Sequence, residues 1–323
     1  MLLSIIIPVY NTEYNCLKRC FKPFIKNYDS RIEIIVVDDG SSREVHNKLL
    51  AFVKECSVSC QFLKQKNAGQ NSARNLGIEN AKGKYVGFLD SDDSIIWDKL
   101  IAILDYIQNK DFDFIGFNIY EIDSSNKKNI RGMGNLSQIN IKREALINCQ
   151  EMWTQFIKKD SLKNRLIENV YIGEDLISIF PVICNLKTFV SIPLVPYVYY
   201  FRETSISNQA SFEKRLSILN GFNILLKDNE IKNKYKEELE WQAIYHIMYV
   251  EAGNCLKAGF RGIHYAKTMQ KWVNELFPNW ENNLYLLEKK KKLGLSFRIL
   301  CSRHIFIFYF LWKIKILIKK FAH

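Results

Sequence analysis

The feature that most constrains the fold is an alternation of strand-like and helix-like segments. Four short runs rich in β-branched residues, Ser4 to Ile7, Glu33 to Val37, Gln61 to Lys64 and Tyr85 to Leu89, are separated by helix-like stretches. This periodicity belongs to βαβ units and an α/β sheet. The first run passes through Pro8-Val9-Tyr10-Asn11 into a helix carrying Leu17, Phe21 and Phe24, and the second stops at Asp38-Asp39-Gly40-Ser41-Ser42. The fourth stops at Asp90-Ser91-Asp92-Asp93. Ligands of open α/β sheets bind beyond the carboxyl ends of the strands, so these polar loops are where chemistry is expected.

Closely spaced carboxylates repel unless a cation or a donor network holds them, and hard oxygens suit Mn²⁺ or Mg²⁺. A divalent ion held at Asp90-Ser-Asp-Asp93 would bridge to a diphosphate leaving group. The plainer alternative is that Asp92 or Asp93 caps a helix around Lys99 to Ile107. Asp38-Asp39-Gly40-Ser41 also has an ordinary explanation as a turn with a serine cap. The segment Asn67-Ala-Gly-Gln-Asn-Ser-Ala-Arg-Asn-Leu-Gly77 brings a glycine loop to a helix start and puts Arg74 about one turn inside, a pattern suited to phosphate oxygens. All three loops occurring in this order on successive strand ends is hard to attribute to chance.

Pro8-Val-Tyr-Asn11, Val37-Asp-Asp-Gly-Ser41, the segment from Asn67-Ala-Gly to Ala73-Arg-Asn75, and Asp90-Ser-Asp-Asp93 together resemble the donor half of family 2 glycosyltransferases. The resemblance is close over roughly the first 120 residues. It continues at Gly173-Glu-Asp-Leu176 and at Tyr199-Tyr-Phe-Arg202 with Ser205-Ile-Ser207. It implies a GT-A fold, a Rossmann-like nucleotide-binding domain followed by a mainly helical C-terminal region, and transfer with inversion from a nucleoside-diphosphate sugar, with UDP as the expected base. Donor binding is then expected from Pro8, Tyr10, Asn11, Asp39, Asn67, Gly69, Arg74, Asp90 and Arg202. Tyr10 would lie against the nucleobase, Asp39 on the base edge, Arg74 near the diphosphate and Asp90 by the ribose. Asp92 or Asp93 would ligate the metal. Asp175 would be the general base, with Glu174 as its competitor, and Trp153 with the helix after it would form an acceptor-side segment. The Gln-X-X-Arg-Trp motif of processive relatives does not occur, so single-sugar transfer is expected, in a polysaccharide, lipopolysaccharide, capsule or glycolipid pathway.

The remaining sequence is less specific. Phe112 to Tyr120 is a fifth apolar run, Glu121 to Asn140 a polar loop or irregular hairpin, and helical spacing returns from Ile141 to Leu166 and from Phe212 to about Phe277. Of the formal charge of +12, +9 falls between Leu284 and His323, where ten Lys or Arg face the single acid Glu288. That segment also holds the apolar run Ile305 to Ile318, interrupted only by Lys313 and Lys315. Basic charge beside apolar surface argues against nucleic acid. It favours an interfacial helix on an anionic membrane over a helix packed into the core. The expected organisation is a catalytic domain over 1–210, a helical region over 211–288 and a basic amphipathic segment over 289–323. The N-terminus has no basic n-region and Pro8 breaks its apolar run, so it is expected to be a strand of a cytoplasmic protein held peripherally at the inner membrane face. The eight cysteines are scattered and complete no zinc pattern. A sugar nucleotidylyltransferase would need a glycine-rich loop where Pro8-Val-Tyr-Asn stands; a non-catalytic nucleotide-sugar scaffold remains the rival of a different class. Donor sugar, acceptor and oligomeric state are not legible.

Overall fold

The computed structural model describes residues 1–148, 150–162, 166–168, 170–202, 209–292, 294–302 and 304–321, the side chains of 315–321 excepted. Two compact units divide the chain: Met1–Asn169 with Ser178–Ser205, and Val170–Ile177 with Ile206–His323.

In the first unit, strands β1 (Leu3–Val9), β2 (Ile32–Asp39), β3 (Ser59–Gln65) and β4 (Tyr85–Phe88) alternate with helices α1 (Tyr14–Lys26), α2 (Arg43–Glu55) and α3 (Gln70–Asn80). The short β5 (Ser94–Ile95) and helix α4 (Trp97–Ile107) follow, then β6 (Phe114–Ile122), β7 (Lys128–Gly132), α5 (Ile141–Asn148) and β8 (Gln155–Lys158). Helix α6 (Glu174–Asn185), of which the residues from Ser178 belong to this unit, and β9 (Phe189–Tyr200) complete the set. Among the described residues the sheet runs β3-β2-β1-β4-β8-β6-β9-β5, with β7 paired to β6.

β1 is central and parallel to both β2 and β4. All seven of its residues are buried, which is why Leu-Ser-Ile-Ile-Ile-Pro-Val reads as a continuous apolar run rather than an alternation. Its one polar side chain, Ser4, is satisfied by donating to Glu33 at 2.5 Å, whose carboxylate also accepts the Lys82 amide. From β1 the chain builds outward to β2 and β3, then returns to the other side of β1 as β4. The order therefore reverses between β1 and β4, the switch point where a crevice opens at the strand ends.

The first four strands and the long hairpin of β6 and β7 match expectation. Helical spacing between Ile141 and Leu166 does not hold throughout: α5 is helical, but Gln155–Lys158 is strand, so the segment following Trp153 is not a helix. β8 is antiparallel to both β4 and β6, and it bridges the parallel part of the sheet to the rest. Phe156 packs so tightly over Gly87 that a Cβ there would lie 2.6 Å from its ring, and it meets Phe117 at 4.7 Å between centroids. Pairing on both edges overrides a weak local helical preference.

The second unit is helical: α7 (Phe212–Leu225), α8 (Asn229–Lys234), α9 (Lys236–Ala243), a π-helix over Ile244–Ala252, α10 (Gly253–Lys257), α11 (Gly262–Leu276), α12 (Leu284–Lys292), α13 (Leu295–Leu300) and α14 (Ile307–Phe321). A buried ion pair, Arg215 with Glu251 at 2.7 Å, lies among its apolar side chains. The basic C-terminal segment belongs to this unit. It has two faces: Leu286, Phe297, Leu300, Ile305 and Phe308 are buried, whereas Leu284, Leu287, Leu295, Phe306, Phe310, Leu311 and Ile314 are exposed.

Candidate active site

The loops after β1 and β2 are tied together. Asn11 adopts φ of 48°, a left-handed conformation that asparagine tolerates better than most residues. Its amide donates to Ser41 Oγ at 3.0 Å and its Oδ1 accepts the Ser42 amide at 2.8 Å. Pro8 is buried at the strand end, and Tyr10 stands outside it, 53% exposed. Ser42 also caps α2, so that plain expectation is correct for one serine.

Asp38 and Asp39, adjacent in sequence, point to different tasks because they alternate across the strand. Asp38 accepts the Ser41 amide at 2.8 Å and pairs with His46 Nδ1 at 2.7 Å. Asp39 reaches across to the glycine loop: its carboxylate accepts from Gln65 Nε2 at 2.7 Å and from the amides of Ala68 and Gly69 at 2.8 and 3.0 Å. Gly40 allows this approach. It has φ of +78°, and a Cβ on it would lie 2.6 Å from the Asn67 nitrogen. Asn67 and Gly69 are exposed on the loop thus anchored.

Gly69, at φ of +95°, starts α3. Gln70 and Arg74 on that helix both donate to Asp90 Oδ1, at 2.8 and 3.2 Å. Arg74, expected near the diphosphate, is 0% exposed; its guanidinium also donates to Asn71 and lies over the Phe88 ring. What it touches is the residue expected at the ribose.

The three carboxylates after β4 occupy three environments. Asp90 is part-buried and held from α3. Asp93 is 1% exposed; it accepts from the Tyr197 hydroxyl at 2.6 Å and the Tyr200 amide at 3.0 Å. Burial first, and the nearby Asp90 second, push its pKa up to about 8. Asp92 is part-exposed and ion-paired with Arg202, and its backbone carbonyl accepts from Arg19, whose guanidinium lies 3.7 Å from the Tyr200 ring centre. Neither Asp92 nor Asp93 caps α4: the cap position is Ile96, with no side-chain bond. The expected alternative of a helix cap is therefore overturned. Ser91 meets Thr12 at 2.6 Å, closing the β1 and β4 loops on each other at the switch point.

The donor set fits a hard divalent cation. Among the described residues no group of three His, Cys, Asp or Glu side chains would hold a metal alone. Asp92, part-exposed and paired with Arg202, could serve an ion that takes its remaining oxygens from substrate phosphates and water. The guanidinium already on Asp92 marks that carboxylate as one that needs a positive partner.

Trp153, expected on the acceptor side, is buried and stacks on Tyr197 and Tyr199 at 4.8 and 5.3 Å between centroids. It supports the strand that holds Asp93. Glu174 and Asp175 lie in the first turn of α6, where the helix dipole favours negative charge. Gly173 before them has φ of +75° and its Cβ position would lie 3.1 Å from Ile218 of α7. Residues 205–207, also singled out in the sequence, lie outside the described residues. Reasoning from sequence missed Arg19, Gln70, Thr12 and Tyr197. Gln70 lies within the glycine segment read from the sequence but has no role assigned there, and the other three carry no local signal because each acts on a loop far from it along the chain.

Residues 4–166 match the family model described as Glycosyl transferase family 2. An uncharacterised glycosyltransferase of Rickettsia conorii is 31% identical over 175 residues, 54% of this chain and 28% of that protein. The match thus spans less than a third of that relative's length. Among solved structures, S. aureus TarS 1–349 in complex with UDP-GlcNAc superposes with a TM-score of 0.72 at 15% identity, covering 97% of this chain and 91% of that one. Mannosyltransferase PcManGT from Pyrobaculum calidifontis, in complex with GDP-Man and Mn²⁺, superposes with a TM-score of 0.57 at 13% identity over 98% and 86%. The fold is the GT-A fold with a helical C-terminal region.

Proposed function

The chain belongs to glycosyl transferase family 2, and on that premise we propose that it moves one sugar from a nucleoside-diphosphate sugar, a UDP-sugar, to a hydroxyl of a glycan or glycolipid acceptor with inversion, in cell-surface polysaccharide synthesis. The observation that carries this is the convergence of three polar loops on the β1/β4 switch point: Asn11 on Ser41 and Ser42, Asp39 on the Ala68 and Gly69 amides, and Ser91 on Thr12. Such a crevice takes a nucleotide, and the UDP seen in TarS supports the base.

In this proposal Tyr10 stacks on the base, with Pro8 and Asn11 shaping the strand end beneath it. Asp39 accepts from the base edge with the acceptor capacity left beside its loop bonds, and Asn67 and Gly69 line the same loop. Asp90 approaches the ribose; Arg74 and Gln70 are positioning residues that aim it. Asp92 is the metal ligand rather than Asp93, because both Asp93 oxygens are engaged inside the protein. Asp92 would hold a divalent cation, Mn²⁺ or Mg²⁺, which would supply Lewis-acid stabilisation to the diphosphate leaving group. Arg202, which pairs with Asp92 on this turn, is the guanidinium that would meet a phosphate oxygen of the donor. Asp175 takes the proton of the acceptor hydroxyl as its oxygen attacks the anomeric carbon; the bond from that carbon to the diphosphate breaks, and the nucleoside diphosphate leaves from the opposite face. Glu174 is the neighbouring carboxylate and the control for this assignment.

The exposed apolar face of α12 to α14, set among lysines, further supports peripheral attachment to an anionic membrane, where a lipid-linked acceptor would be met. Among the described residues no helix is long and apolar enough to cross a membrane. The end of the apolar run Ile305 to Ile318, Leu317 included, has side chains outside the described residues.

A panel of UDP-, GDP-, CDP- and ADP-sugars assayed for slow hydrolysis with Mn²⁺, with Mg²⁺ and with excess EDTA tests the proposal. One nucleotide class should be cleaved, and only with metal. Cleavage undiminished by EDTA removes the metal role, and release of pyrophosphate from a sugar phosphate and nucleoside triphosphate would identify a nucleotidylyltransferase instead.

A further inference from the structure

The second unit carries a groove that the transfer chemistry above does not use. A cavity of about 640 Å³ beside α7 and α11 is lined by Phe212, Glu213, Phe260, Arg261, Tyr265 and Lys267, among others. A second, of about 440 Å³, shares Glu213 and runs along α7 past Lys214 and Ser217 to Tyr171. The two cavities adjoin at Glu213, and the groove is the pair of them. Its floor is aromatic: Phe212 and Tyr265 stack at 4.7 Å, while Phe260 and Tyr171 are 78% and 61% exposed. Its rim is cationic. Lys214, Arg261 and Lys267, with His264, face one acid, Glu213, and that carboxylate already accepts from the Tyr265 hydroxyl at 2.7 Å. The Tyr171 end is fixed to α7 by its amide, which donates to Ser217 Oγ at 3.2 Å. Asp175 follows Tyr171 in the same chain segment, and Gly173 between them backs onto Ile218 of α7.

We propose that this groove binds the acceptor, and that the acceptor is an anionic glycan whose sugar or polyol units carry phosphate. Open aromatic faces cover the C–H faces of sugars and alditols. Arginine and lysine at the rim pair with phosphate oxygens through charge-assisted hydrogen bonds. A neutral glycan would use the aromatic floor alone and form no ion pair with Arg261 or Lys267, or with Lys214, which lies over the Tyr171 ring. Tyr171 at the end of the second cavity lies four positions before Asp175 in the chain. This inference rests on the transferase assignment, in which Asp175 is the base.

The test uses the full chain with its isoleucine methyl groups labelled for NMR, because Ile263 lines the groove. The probes are a short glycerol phosphate oligomer, neutral maltohexaose, inorganic phosphate, a short single-stranded oligonucleotide and phosphatidylglycerol vesicles. The oligomer should shift the Ile263 methyl saturably. Its affinity should fall about tenfold or more in Arg261→Glu/Lys267→Glu, one or two charge-assisted bonds being worth that much, and about threefold or more in Phe260→Ala, whose exposed position keeps the fold intact if the double variant unfolds. An unmoved Ile263, or an equal response to maltohexaose or phosphate alone, overturns the proposal. A stronger response to the oligonucleotide or the vesicles overturns it too, and identifies a nucleic-acid or lipid surface. Calorimetry of UDP with Mn²⁺ on the unmutated chain separates the two readings: absent UDP binding defeats the transferase assignment, while UDP binding with a silent groove defeats this inference alone.

Discussion

Tyr197→Phe removes one oxygen atom and should loosen the turn that carries Asp92, the proposed metal ligand. The hydroxyl accepts the Asp90 amide at 3.3 Å and donates to Asp93 Oδ2 at 2.6 Å, linking two residues of one turn to a strand over a hundred residues away. The ring is unaffected, since phenylalanine keeps the stack on Trp153 at 4.8 Å. A buried polar group deprived of its partner costs about 1–3 kcal/mol. The short bond to Asp93 belongs near the upper end of that range and the long bond from Asp90 near the lower, so the turn should lose about 2–4 kcal/mol. Hydrogen exchange read by mass spectrometry on the peptide spanning Leu89 to Asp93 reports this directly. If the turn opens locally, exchange should quicken about thirtyfold or more. UDP affinity in Mn²⁺ should weaken in parallel, because Asp90 and Asp92 ride on the same turn. Exchange within about threefold of the unmutated rate, with UDP affinity unchanged, would show that the hydroxyl holds nothing and that the geometry argument is wrong.

Asp93 itself should impose a pH dependence. Its folded-state pKa is raised to about 8, so its contribution is fully present below the ordinary value of an unfolded aspartate. That contribution is lost as pH rises toward and through about 8, and Asp93→Asn should flatten the slope in urea unfolding followed between about pH 5 and about pH 9; a slope identical in the variant refutes the assignment. Asp175→Asn should cut transfer about 10²–10⁴-fold while leaving UDP affinity nearly intact, and calorimetry that finds UDP binding lost instead would move Asp175 to the donor side. The full chain should co-sediment with phosphatidylglycerol vesicles more than with neutral ones, and less in high salt. Phe310→Asp on the exposed face should weaken that binding, and sedimentation indifferent to lipid charge and to this substitution would leave α12 to α14 without a membrane role.

How much could be read in advance depended on whether the determining interaction was local. The strands β1 to β4 were legible because apolar runs bounded by Pro8, Asp38 and Asp90 state both the element and its end, and burial on both faces demands such runs. The loops at the strand ends were legible for the same reason: Gly40, Gly69 and the aspartates cluster where the backbone must turn or bind. β8 was not. Gln155-Phe-Ile-Lys158 has too few residues to show a period, and its conformation is decided by the open edges of β4 and β6 on either side. Nor could sequence say which carboxylate of Asp90-Ser-Asp-Asp93 faces outward. Three aspartates in four positions are chemically equal until Arg74, Tyr197 and Arg202 arrive from α3, β9 and the residues after it to hold Asp90, bury Asp93 and pair with the part-exposed Asp92. The same holds for the C-terminal segment, whose composition announced charge beside apolar surface, while only packing divided Phe308 from Phe310. Composition and local pattern thus determined the α/β architecture and the site's position at the strand ends; the role of each side chain there was decided by partners that only the fold brings within hydrogen-bonding distance.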